Sequence, residues 1–190
     1  PSDLRQGSRR GLIGHGQPIV LPRAAAEQVD YEAEFAVVIG RRARRVSEAE
    51  AEECIAGYTN FNDVTARDLQ FADKQWFRGK SCDTFAPCGP YLVPRAGLAG
   101  REENLGLELR LNGRALQRSN TGNLFFRVPY LISFLSQTLT LEAGDILSTG
   151  TPGGVGVFRQ PPVFLRPGDV VEVETEGLGI LRNPVVAEEP

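Results

Sequence analysis

Glu32 and Glu34, in the stretch DYEAEFAVVIG at residues 30–40, carry a spacing that raises a chemical question. Val37, Val38 and Ile39 beside them form a β-branched run that favours a buried strand. Side chains alternate along a strand, so residues 32 and 34 project from the same face. Two like charges side by side on a half-buried face repel each other and resist desolvation. A third acid, Asp63 in GYTNFNDVTARDLQ, follows an aromatic-containing stretch that, as a strand, could return it beside the pair. Three converging carboxylates would repel strongly unless a divalent cation sat between them. Oxygen-only ligation suits Mg²⁺, Mn²⁺ or Ca²⁺, whereas zinc more often recruits His or Cys, and His15 is the one histidine of the chain. Ordinary surface alternation gives the same Glu-x-Glu spacing, so spacing alone leaves both readings open.

Arg67, Gln70 and Lys80 lie in the segment that follows Asp63, NDVTARDLQFADKQWFRGKSCDTFAPCGP. Arginine and lysine can hold a substrate carboxylate or an enolate, and a glutamine amide can donate to a carbonyl. The plain alternatives are a local pairing of Arg67 with Asp68 or Asp73, and an exposed loop position for Lys80. Thr151, in STGTPGGVG, opens a Gly-rich loop whose hydroxyl and amides could bind an anionic or carbonyl oxygen. No Gly-Lys-Ser/Thr follows, so the loop is not a Walker motif. An unliganded strand exit is the alternative.

The elements that would position these residues are mostly strands. Residues 31–39 read as a strand, and SEAEAEECIAGY at 47–58 as a helix, with Ser47 and Glu50 forming a capping box and Gly57 near its end. LGLELRLNGRAL at 105–116 alternates around Asn112-Gly113, a two-residue hairpin turn. VPYLISFLSQTLTL at 128–141 has helical spacing, Pro129 in its first turn and a stop at Gly144. A short strand enters the Gly-rich loop at 144–156, and residues 167–186 give two strands around Gly177 and Gly179. Two helices among many strands predict an α+β domain with a folded-over mixed sheet.

Composition narrows the partners. The chain has 190 residues, 41% of them hydrophobic, enough for one globular domain with a sizeable core. A net charge of −3 and a pI near 5.3 give no nucleic-acid footprint. The basic run RRARR at 41–45 is followed at once by SEAEAEE and reads as a solvated turn. No apolar stretch approaches a membrane span and no signal-peptide pattern opens the chain. Cys54, Cys82 and Cys88 are odd in number and lack metal-ligand spacing, which fits reduced thiols in a cytoplasmic protein. The chain contains no Met, position 1 included, from which we expect a preceding N-terminal portion.

Seven blocks in order, from GHGQPIVLP through DYEAEFAVVIG, NDVTARDLQ, GKSCDTFAPCGP, STGTPGGVGVF and PPVFLRPGDVVEVE to GLGILRNPV, resemble the fumarylacetoacetate hydrolase family over nearly the whole chain. The resemblance implies a mixed β-sandwich roll with a few short helices and a homodimer. It implies Glu32, Glu34 and Asp63 as Mg²⁺ or Mn²⁺ ligands. Arg67, Gln70 and Lys80 would face the substrate, and Thr151 would contribute from the Gly-rich loop. The implied substrates are small acylpyruvates or other 1,3-diketo and 2-oxo acids. Hydrolysis of a C–C bond is the first expectation, with isomerisation, hydration or decarboxylation served by the same enolate chemistry.

One departure stands beside the match. Members of the family usually carry a catalytic His with a nearby Glu on a lid helix, upstream of the segment matching Pro1-Ser2, and His15 in IGHGQP does not match that lid. The base role is therefore expected upstream of residue 1. Within residues 1–190 Lys80 is the nearest candidate base, if a neighbouring cation lowered its pKa. Two other classes remain at this stage, a metal-binding protein without catalysis and a structural β-domain without metal. The response of melting temperature to Mg²⁺ separates the second from the rest.

Overall fold

The computed structural model describes residues 9–25, 27–98 and 100–189. Its elements run β1 (Leu12–Ile13), β2 (Ile19–Leu21), β3 (Val29–Asp30), β4 (Ala33–Ile39), α1 (Glu48–Glu52), β5 (Ile55–Asn62), β6 (Thr65–Ala66) and α2 (Arg67–Asp73). They continue with α3 (Phe77–Lys80), β7 (Ala86–Pro94), α4 (Arg95–Leu98), β8 (Gly106–Leu111), β9 (Arg114–Asn120) and α5 (Val128–Ser136). The last three are β10 (Ile146–Ser148), β11 (Val170–Thr175) and β12 (Ile180–Ala187). One sheet has the order β1-β7-β5-β4-β10, a second β2-β12-β11-β8-β9, and β3 pairs with β6 alone. The pairs β1/β7 and β2/β12 are parallel and the others antiparallel. This is the expected α+β arrangement of mixed sheets with a few short helices.

Alternation explains where the cores lie. On β8, Leu107, Leu109 and Leu111 point inward, and on β11 Val171 and Val173 do the same. They join Ile19, Leu181 and Val185 in one apolar cluster on the second sheet. Phe35, Val37 and Ile39 on β4 face the other way and pack with Leu131, Ile132 and Leu135 of α5 in a second cluster. The hairpin forms as its sequence predicts, with Asn112 and Gly113 both at positive φ, 53° and 79°.

Two helices are shorter than their patterns predict. The capping box of Ser47 and Glu50 forms, but α1 ends at Glu52 and the chain enters β5 at Ile55. Gly57 is therefore a strand residue. A Cβ there would lie 2.2 Å from the Val93 carbonyl oxygen, so the glycine permits close strand approach and does not end a helix. α5 stops at Ser136, because Leu141 leaves the helical path to exchange backbone hydrogen bonds with Ala43 at 2.8 and 3.0 Å. The Arg44 guanidinium donates to the carbonyls of Ser136 and Gln137, at 2.8 and 2.7 Å, and satisfies that helix end. α2, α3 and α4 are additional short helices, and α2 carries two of the candidate site residues. Among the described residues no helix is long and apolar enough to cross a membrane.

Candidate metal and substrate site

The antiparallel register of β4 and β5 sets Ala33 opposite Asn62 and Glu34 opposite Phe61. The next residue, Asp63, donates its amide to the Glu32 carbonyl at 2.9 Å, and the Asn62 side chain accepts from the Glu32 amide at 3.0 Å. The three acids are thereby drawn together as the strand parity suggests. Glu32, Glu34 and Asp63 are 7%, 3% and 2% exposed, and one carboxylate oxygen from each lies within 4.8 Å of the others.

Two cationic side chains reach into this cluster. Lys80, 4% exposed, donates from Nζ to Glu32 Oε2 at 2.8 Å and to Asp63 Oδ2 at 2.6 Å. It is not an exposed loop lysine. Arg67 donates from Nη2 to Glu32 Oε1 at 2.6 Å, from Nη1 to Gln70 Oε1 at 3.0 Å and from Nε to Asp30 Oδ2 at 2.9 Å. The local pairing with Asp68 or Asp73 does not form, and Asp73 instead pairs with Arg78. Burial alone would lower the Lys80 pKa, but the carboxylates of Asp63 and Glu32 outweigh it and hold the ammonium above its ordinary range. With no ion at the triad, Lys80 is thus a proton-bearing cation.

Glu34 has no cationic partner at hydrogen-bond distance among the described residues. Its Oε2 accepts from the Ser148 hydroxyl and from the Gly150 amide, the latter at 3.1 Å. Burial, and then the charges of Asp63 and Glu32, push its pKa up to about 8, against the opposing pull of the Ser148 hydrogen bond. Among the described residues, four carboxylates, those of Asp30, Glu32, Glu34 and Asp63, thus gather around two cations in ion-pair contact, Arg67 and Lys80. The excess of carboxylates over cations, the oxygen-only donor set and the burial all fit a divalent cation of the Mg²⁺ type.

Thr151 is engaged by the protein itself. Its hydroxyl donates to the Ala33 carbonyl at 2.9 Å and accepts from Gln117 Nε2 at 2.9 Å. Gln117, 1% exposed, also accepts from the Ala33 amide at 2.9 Å, so β9 and the Gly-rich loop together clamp the strand that carries Glu34. Sequence reasoning missed Asp30, Ser148 and Gln117. A usable signal existed for Asp30, which continues the parity of Glu32 and Glu34. His15 lies away from the cluster, accepting at Nδ1 from the Arg182 amide at 3.2 Å. A cavity of about 510 Å³ is lined by Phe35, Leu107, Leu131, Gly150 and Thr151. None of the three acids lines this cavity, which meets the cluster through the loop, where the Gly150 amide bonds Glu34.

Comparison with known proteins adds to this geometry. Residues 5–186 match the family model described as fumarylacetoacetate (FAA) hydrolase, C-terminal. A mitochondrial oxaloacetate tautomerase of Xenopus laevis is 46% identical over 177 residues, covering 92% of this chain and 55% of its own length. A solved fumarylacetoacetate hydrolase from the psychrophile Exiguobacterium antarcticum superposes with a TM-score of 0.91 at 41% identity, over 96% of this chain and 65% of that one. A 2-hydroxyhepta-2,4-diene-1,7-dioate isomerase from Mycobacterium marinum gives 0.87 at 39% identity, over 97% and 68%. The chain spans little more than half the length of the tautomerase it matches.

Proposed function

Because the chain belongs to the fumarylacetoacetate hydrolase family, we propose that it acts as a divalent-metal-dependent enzyme on small 2-oxo or 1,3-diketo acids, interconverting their keto and enol forms. The observation that carries this reading is the burial of Lys80, Arg67 and Gln70 against an acidic triad in which Glu34 has no cationic partner at hydrogen-bond distance among the described residues. Glu32, Glu34 and Asp63 would hold Mg²⁺ or Mn²⁺, with Ca²⁺ compatible with the same donors. When bound, such an ion supplies Lewis-acid polarisation of a substrate carbonyl.

The chain's own groups complete the site. Lys80, held by Glu32 and Asp63, would offer Nζ–H to an oxygen that gains negative charge as an enolate forms. Arg67, fixed at three points, presents a planar cation to the acid's carboxylate. Gln70 gives its carbonyl oxygen to Arg67, which turns its amide nitrogen toward a ligand. Thr151 and the loop amides after it would meet the far end of the substrate. The activities for which the tautomerase and isomerase relatives are named agree with enolate chemistry.

C–C bond hydrolysis is the second reading, favoured by the close superposition on a fumarylacetoacetate hydrolase. Both readings need a base, which activates water in hydrolysis and accepts the carbon-bound proton in tautomerisation. Enolate stabilisation serves both, and isomerisation comes first because relatives named as a tautomerase and an isomerase match this chain. A homodimer is part of the proposal, built on the exposed aromatic face of the 124–135 segment.

The deciding experiment adds Mg²⁺ or Mn²⁺ and follows enol absorbance with oxaloacetate and a panel of acylpyruvates, with product analysis by NMR. Loss of the enol signal with the carbon skeleton intact supports the tautomerase reading. Appearance of pyruvate and a free acid supports hydrolysis. No metal-dependent change on any member of the panel would sink both.

A further inference from the structure

Asp30 lies outside the acidic triad, yet it is fully enclosed and receives four donors. Its Oδ1 accepts from the amides of Tyr31 and Gly156, at 2.8 and 2.7 Å. Its Oδ2 accepts from the Val157 amide at 3.0 Å and from Arg67 Nε at 2.9 Å. Those donors come from different parts of the chain. Arg67 opens α2, which carries Gln70, while Gly156 and Val157 close the Gly-rich loop that begins at Thr151. One carboxylate therefore fastens both elements that face the proposed substrate.

We propose that Asp30 is a positioning residue that couples Arg67 to the Gly-rich loop, setting the spacing between the groups that grip the two ends of a bound oxo acid. The inference rests on the reading of Arg67 and Thr151 as substrate-facing.

Three features support coupling over simple burial of an ion pair. First, Asp30 takes the Nε edge of Arg67, which directs Nη1 and Nη2 to Gln70 and Glu32. Without that anchor the guanidinium would be free to swing, and Arg67 would lose the fork geometry that suits a carboxylate. Second, the loop is shaped around the carboxylate. A Cβ at Gly156 would fall 2.6 Å from Asp30 Oδ1 and 1.8 Å from the Val163 carbonyl oxygen, so only glycine lets the amide approach. Third, an asparagine in place of Asp30 has one acceptor oxygen for four donors. Its NH₂ would confront N–H groups on one side, whichever way the amide turned.

The test uses the whole protein and Asp30→Asn. Mn²⁺ binding is expected to persist, because the three triad carboxylates remain. Oxalate affinity is read on Mn²⁺-saturated protein, so that any change in metal affinity is separated from it. Oxalate affinity of the Mn²⁺-loaded protein is expected to fall, and turnover to drop by about 10²-fold, the scale of a small misplacement of binding groups. Combined with Arg67→Lys, the loss in oxalate affinity should be smaller than the sum of the two single effects, as for residues acting through one another. A role confined to stability would lower the melting temperature and leave the two effects additive. Wild-type oxalate affinity in Asp30→Asn, or additive losses, overturns the proposal.

If Asp30→Asn does not fold, Arg67→Lys alone still decides. Hydrogen exchange at the Gly156 and Val157 amides, which Arg67 does not touch, should quicken on the order of tenfold as the shared carboxylate loosens. Unchanged exchange there overturns the coupling. Wild-type protein that binds neither Mn²⁺ nor oxalate would remove the functional reading, while the exchange result would still decide whether Asp30 joins the two elements.

Discussion

Lys80 and Asp63, 17 residues apart in the chain, meet at 2.6 Å where neither is more than 4% exposed. Lys80 bonds Glu32 at the same time, so one ammonium already serves two of the three acids. Replacing it by methionine keeps the volume but strands two buried carboxylates, which typically costs about 3 kcal/mol. Lys80→Met is therefore expected to melt well below wild type in EDTA. A divalent cation should recover much of the loss, since it supplies the missing positive charge and binds only the folded state. Thermal melts of both proteins with and without Mn²⁺ check this. A Lys80→Met protein as stable as wild type without metal would show that the pairing carries little weight.

Glu34 gives the site a pH signature. Its folded pKa stands near 8, above the ordinary 4.5, so the folded protein holds a proton that the unfolded chain releases between those values. Across that window the folded state binds more protons, and metal-free stability must fall as pH rises. The expected outcome in EDTA is a melting temperature that declines from about pH 5 to pH 8. Glu34→Gln, neutral throughout, should flatten the decline and raise the melting temperature most at the alkaline end. It should also weaken stabilisation by Mn²⁺. Equal metal-induced shifts in the two proteins would remove Glu34 from the ligand set.

The parts of this site legible in the sequence were those governed by local parity. Glu32 and Glu34 share a face because a strand alternates, and Val37 to Ile39 announce the strand. Convergence of Asp63 needed only the simplest antiparallel return, which β5 provides. Asp30 continues the same parity, but its role escaped because three of its four donors lie 37, 126 and 127 residues away, and no local pattern reports a carboxylate satisfied by distant groups. Lys80 also needed tertiary information: its sequence neighbours look like a loop, and its burial comes from α3 being held against the cluster. The longer helices expected at 47–58 and 128–141 failed for a related reason. Periodicity recorded apolar residues, but β5 pairing and the Ala43–Leu141 bridge took the ends of those segments.

Ser148 tests how far ligand orientation matters. Its hydroxyl and the Gly150 amide meet the same oxygen of Glu34, leaving the other oxygen to point elsewhere. Ser148→Ala removes a donor that favours the charged carboxylate, so the Glu34 pKa should rise further. Loss of such an outer hydrogen bond commonly costs about 10- to 100-fold in metal affinity. The expected result is weaker Mn²⁺ binding by calorimetry, with greater proton release per ion bound at neutral pH. Affinity and proton release equal to wild type would place the orienting role on Gly150 alone.

The aromatic face of the 124–135 segment bears on assembly. Phe126 stacks on Tyr130 with centroids 4.9 Å apart, and Tyr130 on Phe134 at 6.0 Å, while Phe125 meets Phe126 edge-on at 4.8 Å. Phe125 is 91% exposed and Phe134 58%, although the opposite side of α5 is buried in the core. An amphipathic helix needs one apolar face, and this one has a second that is open to water. A contiguous aromatic patch of this kind marks an interaction surface, and a twofold axis would let the same patch cover itself. Wild-type protein should sediment at twice the chain mass, and Phe134→Asp should shift it toward the single chain. Because Phe134 is more than half exposed, the substitution should leave the melting temperature at low concentration nearly unchanged. A wild-type protein that sediments as a single chain at every concentration would remove the dimer. A Phe134→Asp protein that stays dimeric would move the interface away from this face.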